Sequence, residues 1–216
     1  MTLTAVRPVP RIRRDTDCRP IGSANRYETL AMKEIQAILQ AWSELGHGGH
    51  AVLATVVRVN GSAYRRPGAR MLLLPDGRTI GTVSGGCLED DVKLRAWKLT
   101  VQGEPAVLRY DSTSDDDIVW GLGLGCKSVI DLLIERLDPD RKEQSLDFLR
   151  RRLDTRQPGV LARVVTAEGH IGANVGAFLT LDETGSSAHD FAGLELADLV
   201  RQADRKSTRL NSSHER

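Results

Sequence analysis

The sequence is poor in most of the features that mark a specialised protein. Cys18, Cys87 and Cys126 are the only cysteines among 216 residues. They are too few and too scattered for a disulfide framework, and without a CxxC pair or a His-rich tract no structural zinc site is expected. A reducing compartment fits this usage. Charge of one sign is missing as well: 30 Lys plus Arg stand against 29 Asp plus Glu, a formal net charge of +1. That balance supplies none of the field that dominates nucleic-acid binding, so no nucleic-acid partner is expected. Long apolar runs are absent, residues 51–54 being typical, against the roughly 20 residues that span a bilayer. Residues 1–20 carry Arg7, Arg11, Arg13, Arg14 and Arg19 and no continuous apolar stretch of the kind a secretory signal needs. A soluble cytoplasmic protein is therefore expected. What remains is ordinary: 40% hydrophobic residues and 20 glycines suffice for a globular core.

Residues 1–26 mix Pro8, Pro10 and Pro20 with Arg and Asp and show no period, which predicts a flexible arm. From Tyr27, Leu30, Ile35, Ile38, Leu39, Trp42 and Leu45 keep helical spacing until Gly46, Gly48 and Gly49 stop it. Strands are predicted over 51–59, 69–74 and 79–83, the last two joined by a tight turn at Pro75-Asp76-Gly77. A helix over 88–101 follows, with Leu88, Val92, Leu94 or Arg95, and Leu99 inward and Glu89, Asp90 and Asp91 in its first turn. Further strands are expected over 106–110, 128–137, 159–166 and 176–181, with a charged helix over 140–153 burying Leu146, Leu149 and Leu153. The fold class is α+β, a mixed, largely antiparallel sheet with flanking helices. Residues 204–214 read like the translation of a sequencing-adapter oligonucleotide, so 204–216 are treated as a non-native tail and 27–203 as the domain.

Two segments share a design of strand, glycine turn and cysteine. In Gly81-Thr-Val-Ser-Gly-Gly-Cys-Leu-Glu89, the Ser84, Gly85 and Gly86 backbone can approach a ligand at a helix start, which suits phosphate, and Cys87 stands where the dipole favours an anion. The plainer alternative is a tight strand-to-helix turn with Cys87 packed as a small apolar residue. The second segment, Trp120-Gly-Leu-Gly-Leu-Gly-Cys-Lys-Ser128, fails as a P-loop because Cys126 stands where Gly is needed. It fails the dinucleotide fingerprint because Gly121, Gly123 and Gly125 alternate. A thiol-bearing loop remains, with Trp120 able to cover a flat ring and Lys127 to meet an anion. Between the two, residues 60–70 place Tyr64, Arg65, Arg66 and Arg70 in one loop, and arginine forks match phosphate or carboxylate. Asp111, Asp115, Asp116 and Asp117 miss the EF-hand spacing, the histidines form no metal pair, and no GxSxG elbow is present.

Taken together, Gly61-Ser-Ala-Tyr-Arg-Arg-Pro-Gly-Ala-Arg-Met71, Gly81 to Glu89, and Trp120 to Cys126 resemble the XdhC/CoxI family, accessory proteins that mature molybdenum hydroxylases. The resemblance covers residues 28–199, the family's N-terminal domain. It implies a non-catalytic protein that binds molybdenum cofactor (molybdopterin) as cargo, shields it, and delivers it to an apo-hydroxylase such as xanthine dehydrogenase or carbon monoxide dehydrogenase. It implies Cys87 and Cys126 as contacts to molybdenum or its sulfur. Ser84, Gly85 and Gly86 would form a phosphate cradle, and Arg65, Arg66 and Gly125 would complete the binding set. A cysteine desulfurase is a further expected partner and a homo-oligomer is left open. Lys127 and Ser128 depart from the glycine that follows the second cysteine in relatives. The family's C-terminal Rossmann-like domain is expected to be absent, and with it any activity that needs both domains. The rival readings are a thiol-dependent enzyme with Cys87 as nucleophile and a simple interaction domain.

Overall fold

The computed structural model describes residues 2–6, 23–46, 49–113, 128–138, 144–167, 174–182, 184 and 187–190. Its centre is β2 (Ala51–Gly61), whose run of Ala, Val, Leu and Thr is buried on both faces from Ala51 to Val57, as a central strand requires. Around it lie β3 (Arg70–Leu73), β4 (Thr79–Gly81), β5 (Ala106–Asp111) and β6 (Ser128–Leu137) in the order β4-β3-β2-β6-β5. A second sheet has the order β1-β7-β8-β9, from Thr2–Val6, Gly159–Thr166, Phe178–Asp182 and Ser187–His189. Every described pairing is antiparallel. The α+β class holds, with two antiparallel sheets in place of the single mixed one expected. Residues 2–6 differ from the predicted arm: they pair with β7, a partner about 160 positions away that no local pattern reveals.

Alternate residues of the central sheet feed two cores. One face, with Val52, Ala54, Val56, Met71, Leu132 and Ile134, is covered by α2 (Glu89–Leu99) through Leu88, Val92 and Ala96. Those three recur every four residues along one helical stripe. The expected inward positions Leu94 and Leu99 lie on the other side, 71% and 41% exposed. Tyr110 on β5 ties the helix down, its hydroxyl donating to Asp91 at 2.6 Å. The opposite face, with Leu53, Leu72 and Leu137, packs on Ile38 and Leu39 of α1 (Ser23–Glu44), on Leu146, Phe148, Leu149 and Leu153 of α3 (Gln144–Thr155), and on Leu161 and Phe178 of the second sheet. Each fully buried Leu here contributes about 1.5–3 kcal/mol of transfer free energy.

Charges are also buried between the sheets. Arg163 on β7 forms an ion pair with Glu135 of β6 at 3.0 Å and donates to the Gly176 carbonyl at 2.8 Å and to the Ser145 hydroxyl at 2.8 Å. Arg70 lies beside them, 4% exposed, and donates to the Gly68 carbonyl at 3.0 Å. A small cavity is lined by Arg70, Glu135, Ser145 and Arg163. Burial, and next the neighbouring Arg163, push the Arg70 guanidinium down to about 10 against the pull of Glu135 and Glu34. Burial likewise raises the Glu135 carboxyl above its ordinary range, although Arg163 and Arg70 oppose this.

Candidate functional site

Two loops come together at one end of the α2 face. The first joins β2 to β3 and carries Tyr64, Arg65 and Arg66; the second joins β4 to α2 and carries Ser84, Gly85, Gly86 and Cys87. A Cβ placed on Gly85 would lie 3.4 Å from Tyr64 Cγ, so the tyrosine rests against a position where glycine leaves room. Gly85 and Gly86 hold φ of 115° and 118°, a region that costs other residues strain. Tyr64 is nevertheless 84% exposed, which leaves most of its ring open. Cys87 is an exposed free thiol just ahead of the helix, whose N-cap is Leu88.

The amides expected to cradle a phosphate already hold an anion supplied by the chain. Glu89, the first residue of α2, turns back into the loop. Its Oε1 accepts from the amides of Val83, Ser84 and Gly85 at 3.1, 2.9 and 3.3 Å, and its Oε2 from those of Gly86 and Leu88 at 2.9 and 3.2 Å. The Thr82 hydroxyl donates to Oε1 and the Ser84 hydroxyl to Oε2. Partial burial opposes ionisation, but the Ser84 and Thr82 hydroxyls and the loop amides outweigh it and hold the Glu89 carboxyl far below the usual range. The sequence places Glu89 in a helix first turn, where the dipole alone accounts for an acid. The overlooked signal was a carboxylate three residues after a Gly-Gly pair, within reach of its amides.

The arginines separate. Arg65 turns inward and forms an ion pair with Glu34 of α1, so its guanidinium is engaged within the chain; its Nε is buried without a hydrogen-bond partner. Glu34 also accepts from the Arg70 amide at 3.2 Å, linking α1 to the start of β3. Arg70 belongs to the buried charge cluster. Of the three loop arginines, Arg66 is the exposed one and retains the anion-binding capacity expected of the set. Gly125 and Cys126, with Trp120 and Lys127, lie outside the described residues, as does any spacing between Cys87 and Cys126. Among the described residues no cluster of three or more His, Cys, Asp or Glu could hold a metal ion, and no helix is long and apolar enough to cross a membrane.

Residues 45–111, which contain both described loops, match the XdhC and CoxI family. The resemblance read from the motifs is thereby shown for the two that fall within this segment. Over 92 residues the chain is 47% identical to a probable xanthine dehydrogenase subunit of Bacillus subtilis (strain 168), an alignment covering 43% of this chain and 28% of that protein. Over 112 residues it is 38% identical to the molybdenum cofactor insertion chaperone PaoD of Escherichia coli (strain K12), covering 51% of this chain and 33% of the relative. The chain thus spans a third or less of the length of these curated relatives. Among solved structures, one described as a xanthine dehydrogenase from Bacillus halodurans superposes with a TM-score of 0.57 at 29% identity, covering 74% of this chain and 45% of the other.

Proposed function

We propose that this chain serves in the maturation of a molybdenum hydroxylase, binding molybdenum cofactor as cargo and delivering it to the apo-enzyme, with no turnover of its own. The observation that carries the reading is the pairing of an exposed thiol, Cys87, with the open ring of Tyr64 on adjoining loops inside the family-matched segment. The similarity to a molybdenum cofactor insertion chaperone supports it.

The residues present fit such cargo at three points. A thiolate suits molybdenum held in a dithiolene, which is soft enough to accept sulfur. The Tyr64 ring offers a face to a flat pterin. Arg66 can meet the phosphate with its guanidinium fork. They do not fit at the Ser84–Gly86 amides, which Glu89 fills, so the phosphate end belongs with Arg66. Cys126 is proposed as the second sulfur contact from its place in the third motif. When bound, the cofactor supplies the metal that a hydroxylase needs; this chain binds, orients and shields it.

Anaerobic incubation of the purified chain with molybdenum cofactor, followed by gel filtration and assay of molybdenum and pterin, tests this. Stoichiometric retention is expected, weakened in Cys87→Ser and in Cys126→Ser. Retention at the wild-type level by the double cysteine variant would remove the thiol contact, and no retention by the wild type would remove the carrier role.

A further inference from the structure

We propose that Glu89 is the positioning residue of the loop that carries Cys87. Its carboxylate acts as a built-in anion that shapes the Thr82–Leu88 backbone and closes the loop's amides to phosphate. The inference rests on the reading of Cys87 as a cofactor contact, but it is argued from the loop alone.

Chain geometry makes the case. Successive amides of a glycine turn point into one concavity and favour an anion there. In this loop the amides of Val83, Ser84, Gly85, Gly86 and Leu88 all converge on the two oxygens of one side chain. The Ser84 hydroxyl joins them and also accepts from the Leu88 amide at 3.0 Å, while the Thr82 hydroxyl accepts from Gly85 at 3.2 Å. Gly85 and Gly86 are exposed, so without the carboxylate the Gly86 amide would be left to water, the Gly85 amide to the Thr82 hydroxyl, and their positive-φ backbone to many conformers. Cys87 lies between the last two amides that Glu89 holds, so fixing Gly86 and Leu88 fixes the backbone on either side of it. The carboxylate is tethered, and a free phosphate must displace it to enter. A ligand approaching this loop therefore meets a thiol and a tyrosine ring, and its anionic end must be bound elsewhere.

The test is amide hydrogen exchange on the full chain, resolved at Gly85 and Gly86, with inorganic phosphate or formate added against a chloride control. In the wild type both amides should exchange at least about tenfold more slowly than in an unstructured chain, and phosphate should change nothing. Glu89→Ala should lose that protection and regain it with formate or phosphate but not with chloride. The alkylation rate of Cys87, mapped by peptide mass, should shift in Glu89→Ala and return with formate. Glu89→Gln retains one carbonyl oxygen and should lose protection at Gly86 while keeping part of it at Gly85; it carries the test if the alanine variant does not fold. Unprotected wild-type amides, a wild-type loop that responds to phosphate, or a Cys87 rate indifferent to Glu89 would overturn the proposal. None of these readouts uses molybdenum cofactor. Failure of wild-type cofactor uptake would thus count against the carrier role alone, and a phosphate-responsive loop against Glu89 alone.

Discussion

Replacing Glu89 with Gln changes one oxygen to an amide nitrogen at nearly constant volume, so its cost reports what the charge does for the fold. The wild-type carboxylate accepts from five amides and two hydroxyls. Gln keeps one acceptor and turns an NH2 toward the Gly86 and Leu88 amides, donor against donor. A hydrogen bond to a charged group is worth about 1.5–3 kcal/mol. Water can replace the carboxylate at exposed Gly86, and the Leu88 amide retains the Ser84 hydroxyl. The net loss should therefore be about 2 kcal/mol rather than the sum over all donors. The sign of the pH dependence follows from the depressed carboxyl. The stabilisation is fully present above the ordinary carboxyl value of 4.5 and is lost as pH falls below it toward the folded-state value. Urea unfolding of wild type and Glu89→Gln between pH 8 and pH 3, followed by circular dichroism, should show a constant gap near neutrality that narrows in acid. A gap under about 0.5 kcal/mol at pH 7, the size expected of an ordinary surface change, or one that widens in acid, would refute the reasoning.

Other consequences follow from the same structure. Gly81 and Gly77 hold nearly the same positive φ, 83° and 85°, but a Cβ on Gly81 would stand 2.3 Å from the Arg70 carbonyl oxygen and one on Gly77 would meet nothing within 4 Å. Gly77→Ala should cost about 1–2 kcal/mol from backbone strain alone and Gly81→Ala clearly more, as read by thermal unfolding; equal costs would contradict the close approach. Arg163→Met should cost about 3–5 kcal/mol because it removes the ion-pair partner of buried Glu135 and leaves Arg70 as its neighbouring cation. Adding Glu135→Leu should recover a large part of that in a double-mutant cycle, whereas additive losses would show that the two charges do not act as a pair.

Much of the architecture was legible because local patterns carried it. The apolar runs at Ser128–Leu137 and Gly159–Thr166 form strands with the expected bounds, and the leucine spacing of α3 predicts its buried side. The inward face of α2 was misread because Leu94 and Leu99 are larger than Ala96, yet Ala96 shares a stripe with Leu88 and Val92 and lets the helix approach the sheet. Arg70 looked like a loop cation. Its buried charge is supported by Glu135, more than sixty positions away, and by Glu34 on α1, against the repulsion of Arg163, and no local pattern encodes that. The site was partly legible for a similar reason. The glycine turn follows from the motif, which leaves Cys87 open between a ligand contact and a packed apolar residue until the structure shows it exposed; the engagement of Arg65 by Glu34 is a tertiary contact with α1, and the filling of the cradle by Glu89 requires the loop to curl onto its own helix start.

Molybdenum-edge X-ray absorption on the cofactor-loaded chain, wild type beside Cys87→Ser, tests the central claim most directly. The account predicts a thiolate sulfur at molybdenum in the wild type beyond those of the cofactor itself, and its loss in the serine variant. Superimposable spectra from two equally loaded proteins would contradict it.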